Sequence, residues 1–101
     1  MPSRRPAVAK KSTCPCCGYK TLDEEEPGSP PVYDICEICG WEFYPPNVED
    51  PDWWQGGPNS PLSLRQAQRN FIEIGACSEK MIPYVRRPTV RDRRDADWML
   101  L

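Results

Sequence analysis

The sequence contains no histidine. That absence removes Ser-His-Asp and Cys-His catalysis, imidazole metal ligation and imidazole acid–base work. It also lacks a long apolar run, and its mean hydropathy is -0.70, which excludes a membrane-spanning helix. Residues 1–11 are basic, but no apolar stretch follows them, so they do not read as a secretory signal. Residues 21–64 carry ten acidic side chains and no basic one. The sequence pI is about 5.1. Such a stretch is a poor phosphate-binding surface. Glycine is sparse and proline abundant, at 6 and 13 in 101 residues, a balance that favours turns over long regular elements. The length supports one domain, with a core modest in proportion.

Cysteine is what the sequence has, with six copies. Without an export signal the expected compartment is the reducing cytoplasm, which argues against three disulfides. The cysteines also fall into a pattern. Cys14 and Cys17 form one C-x-x-C pair, Cys36 and Cys39 a second, with eighteen residues between the pairs. This is the two-knuckle spacing of a four-cysteine zinc site. Each pair is followed by glycine, Gly18 or Gly40, which can take the positive φ needed to leave a tight turn. Pro15 presets its own φ inside the first turn. Two thiolates per knuckle complete a tetrahedral shell at about 2.3 Å from the ion. The ligands read from sequence are therefore Cys14, Cys17, Cys36 and Cys39, with zinc as the metal and iron as the alternative. A thioredoxin-type dithiol would need a βαβ unit, and none is visible. Cys16, between two ligands, reads as a partly exposed bystander thiol, or else as a redox or substitute ligand. Cys77 reads as a small buried hydrophobe.

The expected fold class is small α+β: a zinc-ribbon-like β-hairpin with two C-x-x-C-G knuckles, one amphipathic helix and irregular loops rich in Trp, Pro and Gly. Residues 1–13 read as a flexible basic arm, 14–86 as a single domain (metal module 14–45, helical part 61–85), and 87–101 as a charged tail that frays. The acidic run Asp23, Glu24, Glu25 and Glu26 with Pro27-Gly28 marks a loop. Residues 32–35 and 41–44 read as the strands of a hairpin. Tyr19 and Trp41, each after a knuckle glycine, can shield the metal. Residues 45–61 look irregular. Ser63 is placed to cap a helix whose inner face is Leu64, Ala67, Phe71 and Ile74, with Arg65, Gln66, Gln68 and Arg69 outside and Gly75 as its stop. Ser78 would cap a further turn over residues 79–82, ended by Pro83, and Tyr84 and Val85 could add an edge strand. Trp98, Met99, Leu100 and Leu101 form an apolar tag that can dock on the domain or on a partner.

Cys14-Pro15-Cys16-Cys17-Gly18, followed by Cys36-x-x-Cys39-Gly40-Trp41-Glu42, resembles the small bacterial cysteine-rich proteins of the CPCC family. Asp50-Pro51-Asp52, Gly57-x-Asn59, and Ser63-Leu64 with Ala67 and Asn70 add to the resemblance, which spans roughly residues 14–86. It implies a zinc-ribbon-like protein. Phe43 and Tyr44 stand in the first of the positions where that family carries acidic residues, so no role of that acidic patch carries over. The knuckles are also similar to those of rubredoxins, in reversed order and with a shorter gap.

Three functions compete. A non-enzymatic binding module would offer Trp53, Trp54 and Tyr44 to a protein partner. A nucleic-acid-binding ribbon would use Arg65, Arg69, Arg86, Arg87, Arg91, Arg93 and Arg94. An iron-loaded site would transfer electrons. Catalysis would fall to Asp50 and Asp52, which beside Pro51 read as turn-formers, and four matched cysteines close the coordination shell, so no enzyme is expected. Structural zinc contributes about 10–16 kcal/mol in finger peptides, as much as the whole stability of a domain this size, about 5–15 kcal/mol. Complete metal removal is therefore expected to abolish the hairpin, and near-ultraviolet circular dichroism that stays unchanged would refute this.

Overall fold

The computed structural model describes residues 11–101. Most of the expected basic arm thus lies outside the described residues. Its last three residues are not an arm: they form β1 (Lys11–Thr13), paired antiparallel with β2 (Lys20–Asp23). Ser12 faces Leu22 and Thr13 faces Lys20, so Thr21 is skipped as a bulge. A bulge turns an extra side chain toward the same face, and Thr21 and Leu22 are accordingly both buried.

The first knuckle is the turn of this hairpin, and the second knuckle turns another. There, Ile35 bridges Glu42, Tyr33 N–H donates to Phe43 O at 2.8 Å, and Phe43 N–H donates to Asp34 O at 2.9 Å. The strands expected at 32–35 and 41–44 shrink to this one bridge. Pro30 and Pro31 precede it, Pro45 and Pro46 follow it, and Tyr33 takes a left-handed φ of 66°. None of these can extend a ladder.

The two hairpins repeat each other bond for bond, twenty-two residues apart in the sequence. Cys14 N–H donates to Tyr19 O at 2.8 Å, and Cys36 N–H to Trp41 O at 2.9 Å. Gly18 N–H donates to Cys14 O and Gly40 N–H to Cys36 O, both at 2.8 Å. Gly18 and Gly40 have φ of 83° and 87°, a region that any side chain would strain.

Residues 45–61 are less irregular than expected. Pro45 and Pro46 open α1 (Pro45–Glu49), where their missing N–H groups cost nothing. The side chain of Asn59 then stands in for a strand: it accepts from Glu42 N–H at 3.1 Å and donates to Glu42 O at 2.8 Å. Its amide also donates to Asn47 Oδ1 at 3.2 Å, fixing the loop to the buried side of α1.

The helix α2 (Leu64–Ile74) begins and ends as its sequence reads. Ser63 Oγ accepts from Gln66 N–H, and Gly75 closes the helix at φ 78° with its N–H on Phe71 O. Its inner face is shifted, however. Leu64 and Ala67 are buried, but so is Gln68, while Ile74 is 40% exposed. Gln68 turns inward because its amide has three backbone partners: Pro15 O, Met99 O and Leu101 N–H. A buried amide costs little when so satisfied. A 3-10 helix follows (Glu79–Tyr84), which takes in Pro83 and Tyr84, so no edge strand forms at 84–85.

The residues after 86 are not a frayed tail. Lys20 N–H donates to Arg93 O at 2.8 Å, Tyr19 bridges Arg94, and Asp95 N–H donates to Gly18 O at 2.7 Å. Thr13 Oγ1 donates to Asp95 Oδ2 at 2.6 Å. The expected boundaries at 13/14 and 86/87 are therefore crossed by ordered pairing. Backbone hydrogen bonding to residues 18–20, where the first knuckle enters β2, gives this charged segment a place that hydrophobicity alone does not. The core lies between the hairpins and α2: Leu22, Ile38, Trp41, Leu64, Ala67 and all six cysteines. Among the described residues no helix is long and apolar enough to cross a membrane.

Candidate metal centre

Each knuckle brings two sulfurs to one point because its turn is closed by a hydrogen bond from glycine back to the first cysteine. The result joins Cys14, Cys17, Cys36 and Cys39, all buried, with their four Sγ atoms within 4.8 Å of one another. Cys14 Sγ lies 3.6 Å from Cys39 Sγ, and Cys17 Sγ lies 3.7 Å from Cys36 Sγ. These separations are far longer than a disulfide bond of about 2.05 Å. They match the edge of a tetrahedron with metal–sulfur bonds of about 2.3 Å, which is about 3.8 Å. All six cysteines are free. The four-thiol group therefore fits a metal ion in donor type, number and spacing.

The electrostatics of the group point the same way. Burial pushes the Cys14 thiol well above its ordinary value. Cys39 is also pushed up, first by its contact with Cys14, then by the other sulfurs and by burial. Cys36 moves in the opposite direction, because Cys14, Cys17 and Cys39 can all donate to it, and so can the Thr21 hydroxyl. Thr21 Oγ1 reaches Cys36 Sγ at 2.9 Å, and Ile38 N–H reaches it at 3.4 Å. Without a metal, these surroundings favour the thiolate at Cys36 and the thiol at Cys14 and Cys39. A dication bound there would replace those protons, so its binding would weaken as pH falls.

Cys16 is not the exposed bystander expected from its position. It is fully buried. The repeat explains why: Cys16 occupies the position that Ile38 holds in the second knuckle, and both are core side chains. Cys77 is buried as expected, and burial pushes its thiol up to about 12. Its N–H donates to Cys39 O at 2.7 Å, so its backbone braces the second knuckle. Trp41 is fully buried next to Gly40, with an indole N–H that has no hydrogen-bond partner among the described residues. Losing that bond costs about 1–3 kcal/mol, so the ring is held there for its apolar bulk.

The first knuckle is braced from the other end of the chain. Trp98 Nε1 donates to Pro15 O at 2.7 Å, and Arg94 Nε donates to Cys17 O at 3.1 Å. The Arg94 guanidinium lies 5.0 Å from the Tyr19 ring centre and 4.8 Å from that of Trp98. Sequence reading missed Thr21, Arg94 and Gln68 at this site. The apolar tag around Trp98 was the only local signal. Asp50 and Asp52 are remote turn residues in form: Asp50 Oδ1 accepts from Asp52 N–H, and Asp52 pairs with Arg65 at 2.7 Å. Trp54 is 54% exposed and Trp53 37%.

Hairpins, helix and sulfur cluster define a small α+β protein organised around a four-cysteine centre that could hold one metal ion. A model of the cysteine-rich CPCC proteins matches residues 12–92. The chain belongs to the cysteine-rich CPCC family. No curated protein and no solved structure matches it.

Substitution separates the two kinds of cysteine. Cys17→Ser is expected to abolish stoichiometric metal binding, whereas Cys16→Val, which copies the apolar character of Ile38, should retain one ion per chain. Elemental analysis of the purified variants gives the ratio.

Proposed function

We propose that the chain is a non-enzymatic zinc-binding module of the cytoplasm, zinc-ribbon-like in its knuckles, that acts by docking a protein. The observation that carries this reading is the closed set of four buried thiols, which leaves no coordination position for a substrate. Zinc held by Cys14, Cys17, Cys36 and Cys39 supplies cross-linking of the two hairpins rather than chemistry. Iron in the same sulfurs, with electron transfer, is the alternative metal reading. Six free thiols suit a reducing compartment.

A protein partner is favoured by the surface next to the second hairpin. A cleft of about 680 Å³ is lined by Asp23, Glu25, Glu26, Val32, Tyr33 and Asp34, with prolines 30 and 31. Val32 and Tyr33 are exposed, and the Tyr33 ring stacks on Tyr44 with centroids 6.3 Å apart. Apolar walls with an acidic rim fit a basic, extended segment of another protein. The arginines offer less to nucleic acid than their number suggests. Arg65 is paired with Asp52, Arg86 with Glu37 and Asp92, and Arg94 is held against the first knuckle.

Elemental analysis of protein from its native host tests the metal: one zinc per chain supports the reading, and one iron with a red, reductant-bleached colour replaces it with electron transfer. Fluorescence anisotropy tests the partner. A labelled Arg-Leu repeat peptide is expected to bind in a salt-sensitive way and to lose affinity with Glu25→Lys and Glu26→Lys. Tighter binding of a mixed-sequence DNA duplex would move the protein to the nucleic-acid class.

A further inference from the structure

The repeat of the two knuckles extends to what covers them, and there the halves differ in kind. Pro15 O corresponds to Glu37 O, and Cys17 O to Cys39 O. In the second knuckle both carbonyls take backbone donors: Arg86 N–H on Glu37 O at 3.0 Å and Cys77 N–H on Cys39 O at 2.7 Å. In the first knuckle both take side-chain donors: Trp98 Nε1 and, from α2, Gln68 Nε2 share Pro15 O, and Arg94 Nε takes Cys17 O. The glycines are covered in parallel. A Cβ on Gly40 would meet Met81 at 2.9 Å, and one on Gly18 would meet the Trp98 ring at 2.7 Å. The segment 93–101 is thus the counterpart, for the first knuckle, of the segment 77–86 for the second. The family match ends at residue 92, short of Arg93, so this brace lies beyond the stretch that defines the family.

We propose that residues 93–101 are a latch on the metal centre, with Arg94 and Trp98 as positioning residues that set how fast the first knuckle opens and gives up its ion. The inference rests on the metal-binding reading above. A thiolate leaves the ion only if its knuckle can move. The Cys14–Cys17 turn is pinned at Pro15 O by the indole together with the Gln68 amide, at Cys17 O by the guanidinium and at Gly18 O by Asp95 N–H at 2.7 Å. Arg94 is itself held between the Tyr19 and Trp98 rings, which ties the two donors into one unit. Loss of either side chain removes one of these ties and loosens the turn without altering a sulfur. The second knuckle, braced through its backbone, has no comparable release point in a side chain.

The test uses the full chain loaded with zinc. Release is followed with a colorimetric chelator in excess, and thiol labelling is followed by alkylation and mass spectrometry. Trp98→Phe keeps the ring over Gly18 and removes only the donor. It should release zinc about three to ten times faster, the rate equivalent of one hydrogen bond. Trp98→Ala and Arg94→Ala should be at least as fast. In all three, Cys14 and Cys17 should be alkylated before Cys36 and Cys39, an order that general destabilisation does not produce. Arg65→Ala, which removes an exposed ion pair with Asp52 and touches neither knuckle's carbonyls, serves as the control and should leave rate and order unchanged. Variants that hold one zinc and release it at the wild-type rate, or that label all four cysteines together, overturn the latch while leaving the metal reading intact. A wild-type chain that binds no zinc overturns both.

Discussion

Four thiols share one dry pocket, and every other feature is arranged around keeping them there. Thiolates this close repel one another, and burial in an apolar surround withholds the water that would screen them. A single dication would resolve both problems at once, and the sulfurs sit at the spacing such an ion requires, in the centre of the core rather than at its edge. The domain has no other centre of comparable strength. Its buried apolar side chains other than cysteine amount to Leu22, Pro31, Ile38, Trp41, Leu64, Ala67 and Ala76 among the described residues. A core this small does not stabilise a chain rich in proline and loops by itself.

From that constraint the architecture follows in steps. Two knuckles require two hairpins, and each hairpin supplies the same pair of closing hydrogen bonds. The bulge at Thr21 delivers a hydroxyl to Cys36, so the first hairpin helps to solvate a sulfur of the second. The helix α2 then lies across the first knuckle, where Gln68 joins Pro15 to the last residues of the chain. Loops that look featureless are stitched in by side chains acting as backbone: Asn59 pairs with Glu42 as a strand would.

Sequence reading was strongest where chemistry demands a residue type at a fixed spacing. The four clustered cysteines, the two positive-φ glycines and the Ser63 and Gly75 caps are local requirements, and local patterns reveal them. Reading was weaker where the deciding partner is distant. Gln68 looks polar and therefore outward, yet its partners, Pro15 and Leu101, are far away in sequence. Cys16 looks exposed beside two ligands, yet the turn points it into the core. The ladder formed around the first knuckle because proline flanks the second on both sides, a comparison between two candidate strands rather than a property of either. Residues 93–101 carry charges that suggest solvent, and the backbone pairing of residues 93–95 with residues 18–20 has no signature in composition.

The two braces also differ in how they tolerate change in the sequence. A backbone N–H is offered by every residue but proline, so the second knuckle's support at positions 77 and 86 survives almost any drift in side chains. The first knuckle's two carbonyls are held instead by three particular side chains, Trp98, Gln68 and Arg94, and a single codon change can erase any one of them. One half of the centre is thereby protected by the chain's geometry, while the other is open to adjustment, so that descendants of this chain could vary how firmly an ion would be held while leaving the four cysteines untouched.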